Sequence, residues 1–252
     1  MSEVAAVALE GIPQVAPGDD IAQLIASAPP PGGAIGSQDV VVLAHKIVSK
    51  AEGRIRALAD VTPGERAQTL AGQHGKDPRH VQVVLDESRQ LLRAARGVLI
   101  CVTRHGFVCA NAGVDASNAP APDTLVLLPL DPDASARRIR AGLHRRLAVR
   151  PAVLITDSFG RAWRHGQCDV AIGCAGIDPV EDWRGLPDAA GRELRATTIA
   201  VADELAATAD LARAKDGSQP VVVVRGAGRH VTDDDGPGAA AIVRPEAEDL
   251  FR

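Results

Sequence analysis

The chain has no tyrosine and only three Phe and two Trp, so its core must be built from Val, Leu, Ile and Ala. The stacking platforms that single-stranded nucleic acid needs are missing with them. No charge of one sign dominates: 28 Lys and Arg stand against 32 Asp and Glu, a formal net charge of −4, which gives no reason to expect nucleic acid or an anionic membrane as partner. No apolar run approaches the ~20 residues that span a bilayer. Residues 1–14 carry an acid and no basic segment, unlike a secretion signal, so the cytoplasm is the expected location. The four cysteines, Cys101, Cys109, Cys168 and Cys174, form no CxxC pair and sit among small or apolar neighbours. They read as reduced, buried hydrophobes rather than zinc ligands. The common phosphate motifs are absent as well. There is no GxxxxGK[ST] segment, and Gly226-Ala227-Gly228 lacks the third glycine of a dinucleotide loop. A nucleotide bound here would use neither a P-loop nor a Rossmann frame.

What is present is a chain of 252 residues, 46% hydrophobic and 24% charged, without long linker, repeat or low-complexity tract. It is long enough to bury a full core. Apolar runs predict strands at 40–44, 97–103, 125–128, 152–156, 170–173 and 221–224. Asp19 or Asp20 is placed to cap a short helix with Ile21, Leu24 and Ile25 inward. Asp77-Pro78 opens a second helix, in which Val81, Val84, Leu85, Ser88, Leu91, Leu92 and Ala95 recur at helical spacing. Asp131-Pro132 opens a third, with Ala136, Ile139, Leu143 and Leu147 as its buried stripe and Arg137, Arg138, Arg140, Arg145 and Arg146 mostly on a solvated face. A fourth, roughly 197–214, turns Ile199, Ala202, Leu205, Ala206 and Ala209 inward. Strands and helices mingle without a regular βαβ alternation, so the expected class is mixed α+β, largely antiparallel sheets with flanking helices.

Chemistry concentrates in two places. Residues 105–118 (His105-Gly106-Phe107-Val108-Cys109-Ala110-Asn111-Ala112-Gly113-Val114-Asp115-Ala116-Ser117-Asn118) follow the 97–102 run and are rich in glycine and oxygen-bearing side chains. Such a connection leaves the backbone free to bend and suits a hard cation or a phosphate. The second place is Asp157-Ser158-Phe159-Gly160-Arg161, read as the mouth of the 152–156 strand. Asp115 and Asp157 can share divalent ions, with the Ser158 hydroxyl as a further ligand, and oxygen-only ligands favour magnesium or manganese over zinc. Arg161 and Arg164 are available to neutralise a phosphate. Each segment has a plainer reading too: a capped turn at Asp157, and an Asx-turn in which Asp115, Ser117 and Asn118 satisfy only local backbone groups. Lys46 and Lys50 follow the 40–44 strand and offer two ammonium groups. The acidic run 232–238 reads as a solvated loop, with a metal-proximal carboxylate as the alternative.

In this order, these segments resemble the coenzyme F-420-0:L-glutamate ligases, the gamma-glutamyl ligases of the deazaflavin cofactor. The matching stretches are Gly11-Ile12-Pro13, residues 47–53, the run through Asn118, Leu128-Pro129-Leu130-Asp131-Pro132-Asp133 and Ile155-Thr156-Asp157-Ser158-Phe159-Gly160-Arg161, continued by Ala171-Ile172-Gly173, Ala202-Asp203-Glu204-Leu205 and Val224-Arg225-Gly226. The resemblance implies a GTP-dependent ligase using manganese or magnesium, with potassium as activator. It would join glutamate to the lactyl carboxylate of coenzyme F-420-0 through an acyl phosphate, then add further glutamate by gamma linkage. It also implies the family's own α+β fold over residues 1–252, in two interlocked subdomains, as an intertwined homodimer without the nitroreductase-like domain of some relatives. On that pattern Asp115, Asp157 and Ser158 bind metal, and Asp115, Asp157 and Lys50 carry catalysis. Ile12, Pro13, Gln14, Val15, His45, Lys46, Lys50, Asn118 and Lys215 line the GTP site, and His105 and Cys109 fall to structural roles. Three departures stand out: Ser158 where many relatives have Thr, His45-Lys46 in place of small hydroxyl residues, and no Met-Gly element around residues 211–216. The alternatives are a paralogous ligase acting on another acid, or a non-catalytic nucleotide- or metal-binding regulator.

Overall fold

The computed structural model describes residues 3–213 and 218–251. In chain order the elements are β1 (Ala5–Ala8), α1 (Ile21–Ala26), β2 (Val40–Ala44), α2 (His45–Ala51), β3 (Ile55–Ala57), α3 (Glu65–His74), α4 (Pro78–Asp86), β4 (Ser88–Ala95), β5 (Val98–Thr103) and β6 (Val108–Ala110). They continue with β7 (Thr124–Val126), α5 (Pro132–Leu147), β8 (Ala152–Arg161), β9 (Arg164–Ala175), β10 (Glu181–Asp182), β11 (Thr198–Ile199), α6 (Val201–Ala212) and β12 (Val221–Arg225).

The core is a five-stranded sheet in the order β1-β12-β2-β8-β9. Only β2 and β8 run parallel within it; the other pairings are antiparallel. Successive strand side chains leave opposite faces. Val41, Leu43, Val153, Ile155, Val221 and Val223 therefore pack on α1, α2 and α5, whose Ile25, Val48, Ala136 and Leu143 join the same cluster. Val40, Val42, Ala152, Leu154, Val222 and Val224 pack instead on Val201, Ala202, Leu205 and Ala209 of α6. With both faces covered, the central strands read as unbroken apolar runs, which is why they were legible in sequence. A third cluster joins α3 and α4 to β5 and to Leu125 and Leu127, beside the antiparallel sheet β4-β5-β6. The architecture is α+β and mostly antiparallel, as expected. Among the described residues no helix is long and apolar enough to cross a membrane.

Four expectations need correction. The helix opened by Asp77-Pro78 ends at Asp86, and Ser88–Ala95 is a strand paired with β5. Its apolar side chains serve either period, and the long-range ladder to β5 decides for strand. The 152–156 strand runs on to Arg161, because β9 returns alongside and pairs Asp157 with Val170 and Gly160 with Gln167. Ladder hydrogen bonds are made by backbone, so polar residues can continue the strand. Ile199 lies in β11, and α6 starts two residues later. Finally, Arg140 is 1% exposed. It falls on the core side of α5, four residues after Ala136 and three before Leu143, and the acidic 232–238 loop wraps it. Its guanidinium donates to the carbonyls of Pro151, Thr232 and Asp234 and to the Asp235 carboxylate at 2.6–3.0 Å. That loop is a clasp for a buried cation.

Candidate active site

The parallel pair β2–β8 positions the first half of the site. Ala44 stands opposite Thr156 in register, so the next residue on each chain, His45 and Asp157, emerges at the same end of the sheet. The carboxyl ends of adjacent parallel strands are where open α/β sheets characteristically bind ligands. His45 starts α2 without a loop, and its buried ring places Nε2 3.3 Å from Asp157 Oδ1 and Nδ1 3.2 Å from Ser49 Oγ. One turn along α2 from His45 comes Ser49, and one turn along from Lys46 comes Lys50, which is 6% exposed. Burial pulls the Lys50 ammonium below the ordinary lysine range, and the charge of Lys46 adds to the effect.

The hairpin β8–β9 supplies the second part. A bulge between Ile155 and Thr156 shifts its register, and Ser158 then faces Asp169. Asp169 is 2% exposed and accepts from Thr156 Oγ1 (2.8 Å), Ser158 Oγ (2.6 Å) and Arg213 Nη1 (2.7 Å). Asp157 and Ser158, adjacent in sequence, thus turn to different partners, as strand alternation requires.

The third part is the segment first noted for its glycines. Asn111, Ala112 and Gly113 all take positive φ (51°, 52° and 71°). Left-handed backbone is rare for residues other than glycine and asparagine, and Gly113 adopts it where an added Cβ would meet the Leu128 side chain at 2.7 Å. This turn delivers Asp115, which exchanges both backbone hydrogen bonds with Val126. The Asp115 carboxylate accepts from the Ser117 amide at 2.7 Å and hydroxyl at 2.9 Å, and Lys46 Nζ lies 2.6 Å away. Burial pushes its pKa up, but the Lys46 and Ser117 hydrogen bonds outweigh that, and the carboxyl sits below its ordinary value.

These parts face one cleft of about 1190 Å³. Every described residue assigned to the site from sequence lines it: Ile12, Pro13, Gln14, Val15, His45, Lys46, Lys50, Asp115, Asn118, Asp157 and Ser158. Lys215 lies outside the described residues. Arg161 and Arg164 sit at the exposed tip of the hairpin, away from the cleft, where Arg161 binds the His165 carbonyl. His105 donates through Nε2 to the Pro129 carbonyl (2.9 Å), stacks on Phe107 and anchors a loop. Burial pushes the Cys109 thiol up to about 12, so it is inert. Both keep the structural roles expected of them, and all four cysteines are free. Sequence reasoning missed Thr156, Asp169 and Arg213, which also line the cleft. An acid opening an apolar strand run, as Asp169 does before Val170, was the available signal.

The Asx-turn reading of Asp115 is realised, since its carboxylate accepts from the Ser117 amide and hydroxyl, and the same residue borders the cleft. Among the described residues no three of His, Cys, Asp and Glu converge as a ready metal cage. The oxygen donors Asp115, Asp157 and Ser158 nevertheless suit magnesium or manganese, because magnesium is commonly held by one or two carboxylates and completes its shell with water and substrate phosphate. Three carboxylates (Asp115, Asp157, Asp169) meet three cations (Lys46, Lys50, Arg213) on the described walls. Such a balanced cleft accepts a polyanion best when the polyanion brings positive charge with it.

Comparison with known proteins shows the family. The family model described as F420-0:Gamma-glutamyl ligase matches residues 11–226. The coenzyme F420:L-glutamate ligase of Methanothermobacter thermautotrophicus is 43% identical over 252 residues, covering 99% of each chain. The one from Methanopyrus kandleri is 43% identical over 241 residues, 95% of this chain and 94% of its own. The Haloarcula marismortui protein of the same name is 42% identical over 97% of this chain and 94% of its own. The chain belongs to the F420-0:gamma-glutamyl ligase family. It is an enzyme, and its class is ligase.

Proposed function

We propose that the enzyme joins L-glutamate to coenzyme F420-0 and then extends the chain through gamma linkages, using GTP with manganese or magnesium and potassium as activator. The observation that carries this reading is the single cleft in which Asp115, Asp157, Ser158, Lys46 and Lys50 meet from separate segments. A carboxylate is a poor acylating agent, so the reaction begins by moving the GTP γ-phosphate onto the lactyl carboxylate, with GDP as the leaving group. The glutamate amine then displaces phosphate from the acyl phosphate. Neither step needs an enzyme nucleophile; both need positioning and charge neutralisation. Lys50 and Lys46 stand at one wall to offset phosphate charge as it develops. Asp115, Asp157 and Ser158 would hold the divalent ion, which when bound neutralises phosphate oxygens and fixes their geometry. Ile12, Pro13, Gln14, Val15 and His45 offer the apolar and polar surface a nucleoside requires, and Asn118 lines the same cleft.

With this reading come a cytoplasmic location and an intertwined homodimer. Trp163 and Phe251, exposed and 4.9 Å apart at their ring centres, are apolar side chains that such a contact would cover. The deciding experiment supplies purified protein with coenzyme F420-0, GTP, manganese and glutamate and reads the product by mass spectrometry. Mass gain in glutamyl units is expected, and its absence refutes the assignment. Asp157→Asn should abolish turnover with the fold intact; full activity of that variant across a manganese titration would overturn the metal assignment.

A further inference from the structure

Arg213 closes α6 in extended backbone, at φ −92° and ψ 113°, and its side chain is 12% exposed against the cleft wall. Only one end of its guanidinium is used: Nη1 donates to Asp169 at 2.7 Å. Nε and Nη2 are buried and have no hydrogen-bond partner among the described residues. Buried donors without partners are rare and costly. The two idle groups are not scattered. In a planar guanidinium Nε–H and Nη2–H point the same way and form the edge that grips two oxygens of a carboxylate or phosphate at once. Asp169 is itself fixed by Thr156 and Ser158, which are anchored in the hairpin. The guanidinium is therefore oriented before any ligand arrives, and little side-chain freedom is lost on binding.

We infer that Arg213 is an oxyanion fork of the cleft: Asp169 holds its Nη1 end, and the Nε/Nη2 edge binds a carboxylate or phosphoryl group of a bound substrate. This deepens the ligase reading and rests on it for the identity of the substrates, all of which carry such groups. Arg213 is a binding residue here, and Asp169 is the residue that positions it.

The test is steady-state kinetics of Arg213→Gln and Arg213→Lys, varying glutamate, GTP and coenzyme F420-0 in turn, with thermal unfolding measured alongside. A rise of tenfold or more in one substrate's KM, measured at a temperature where the melting curve shows the variant fully folded, supports the fork and names its ligand. Lysine, which keeps the charge but loses the fork, should recover only part of the loss. Millimolar methylguanidine should restore activity to Arg213→Ala. KM values within twofold for all three substrates, or a uniform fall in kcat that tracks lost stability, overturns the inference. Calorimetric titration of wild type and Arg213→Gln with inorganic phosphate and with glutamate reads the fork without the reaction. A tenfold weaker binding of either anion to the variant upholds it even if the wild type ligates nothing, and equal binding by both proteins sinks it.

Discussion

Replacing Asp169 by Asn should destabilise the protein by about 3 kcal/mol. The carboxylate is 2% exposed and accepts three hydrogen bonds, one of them from a guanidinium. Asparagine keeps the shape and one acceptor oxygen. The hydroxyls can adapt: Thr156 Oγ1 already lies 3.3 Å from the Leu43 carbonyl and can donate there while accepting from the new amide. What cannot be replaced is the charge. Bonds to an ionised group contribute roughly 1.5–3 kcal/mol and neutral ones roughly 0.5–1.5, so losing about 1 kcal/mol at each of three bonds gives ~3 kcal/mol. Breaking a buried ion pair from one side costs about 3–5 kcal/mol, which brackets the same figure. For a chain of this size each kcal/mol moves the melting temperature by roughly 2–4 °C, so a fall of about 6–12 °C is expected. Urea unfolding should show a lower midpoint with an unchanged slope. The double variant Asp169→Asn with Arg213→Met removes the orphaned charge, and a coupling of at least about 1.5 kcal/mol should appear in the cycle. A single variant within about 1 kcal/mol of wild type, or a cycle that is strictly additive, would refute the reasoning.

Three further outcomes follow from the same geometry. Gly113→Ala forces a side chain into left-handed backbone and against Leu128; the two penalties, roughly 1–2 and 1–3 kcal/mol, should sum to about 2–5 kcal/mol by chemical denaturation, and a neutral result would show that the turn relaxes freely. Arg140→Met should lose about 3–5 kcal/mol, because the four carbonyl and carboxylate acceptors of the 232–238 clasp and Pro151 are left facing a thioether; unchanged stability would mean the clasp is not needed to hold the loop. Asp115 titrates below its unfolded value of 3.8, so it contributes stability that is present above that pH and lost as pH falls through the lower folded value. The stability gap between wild type and Lys46→Met should therefore narrow below about pH 4, and a gap that stays constant down to pH 3 would contradict the pairing.

Reading Asp157 as a strand-mouth residue succeeded for its location and failed for its element. The apolar run 152–156 marks where the buried part of β8 ends, because burial leaves a trace in composition. It does not mark where hydrogen bonding ends, because backbone groups pair regardless of side chain. The 77–95 segment failed for a related reason. Leu91, Leu92 and Ala95 fit a helical stripe, yet Ser88 Oγ closes α4 on the Val84 carbonyl and the chain departs as β4 to meet β5. Arg140 shows a different limit. Its spacing placed it on the core face, and only its charge argued otherwise; three of the four acceptors that admit it come from more than ninety residues downstream.

By itself, the sequence determined the aliphatic double-faced sheet, the capped helices at Asp20, Asp77 and Asp131, and eleven of the cleft's lining residues. The strands and the caps are local, or depend on a pattern repeated along one element, and so can be read from neighbours in the chain; the lining residues were reached through the resemblance to a family. The pairing of Ser158 with Asp169, the tether from Asp169 to Arg213 and the approach of Lys46 to Asp115 were decided only by tertiary structure. Each joins residues 11 to 69 positions apart through a register, a bulge or a helix end. A register shift of one residue would turn Ser158 away from Asp169, and nothing in the composition of either strand records which register is adopted.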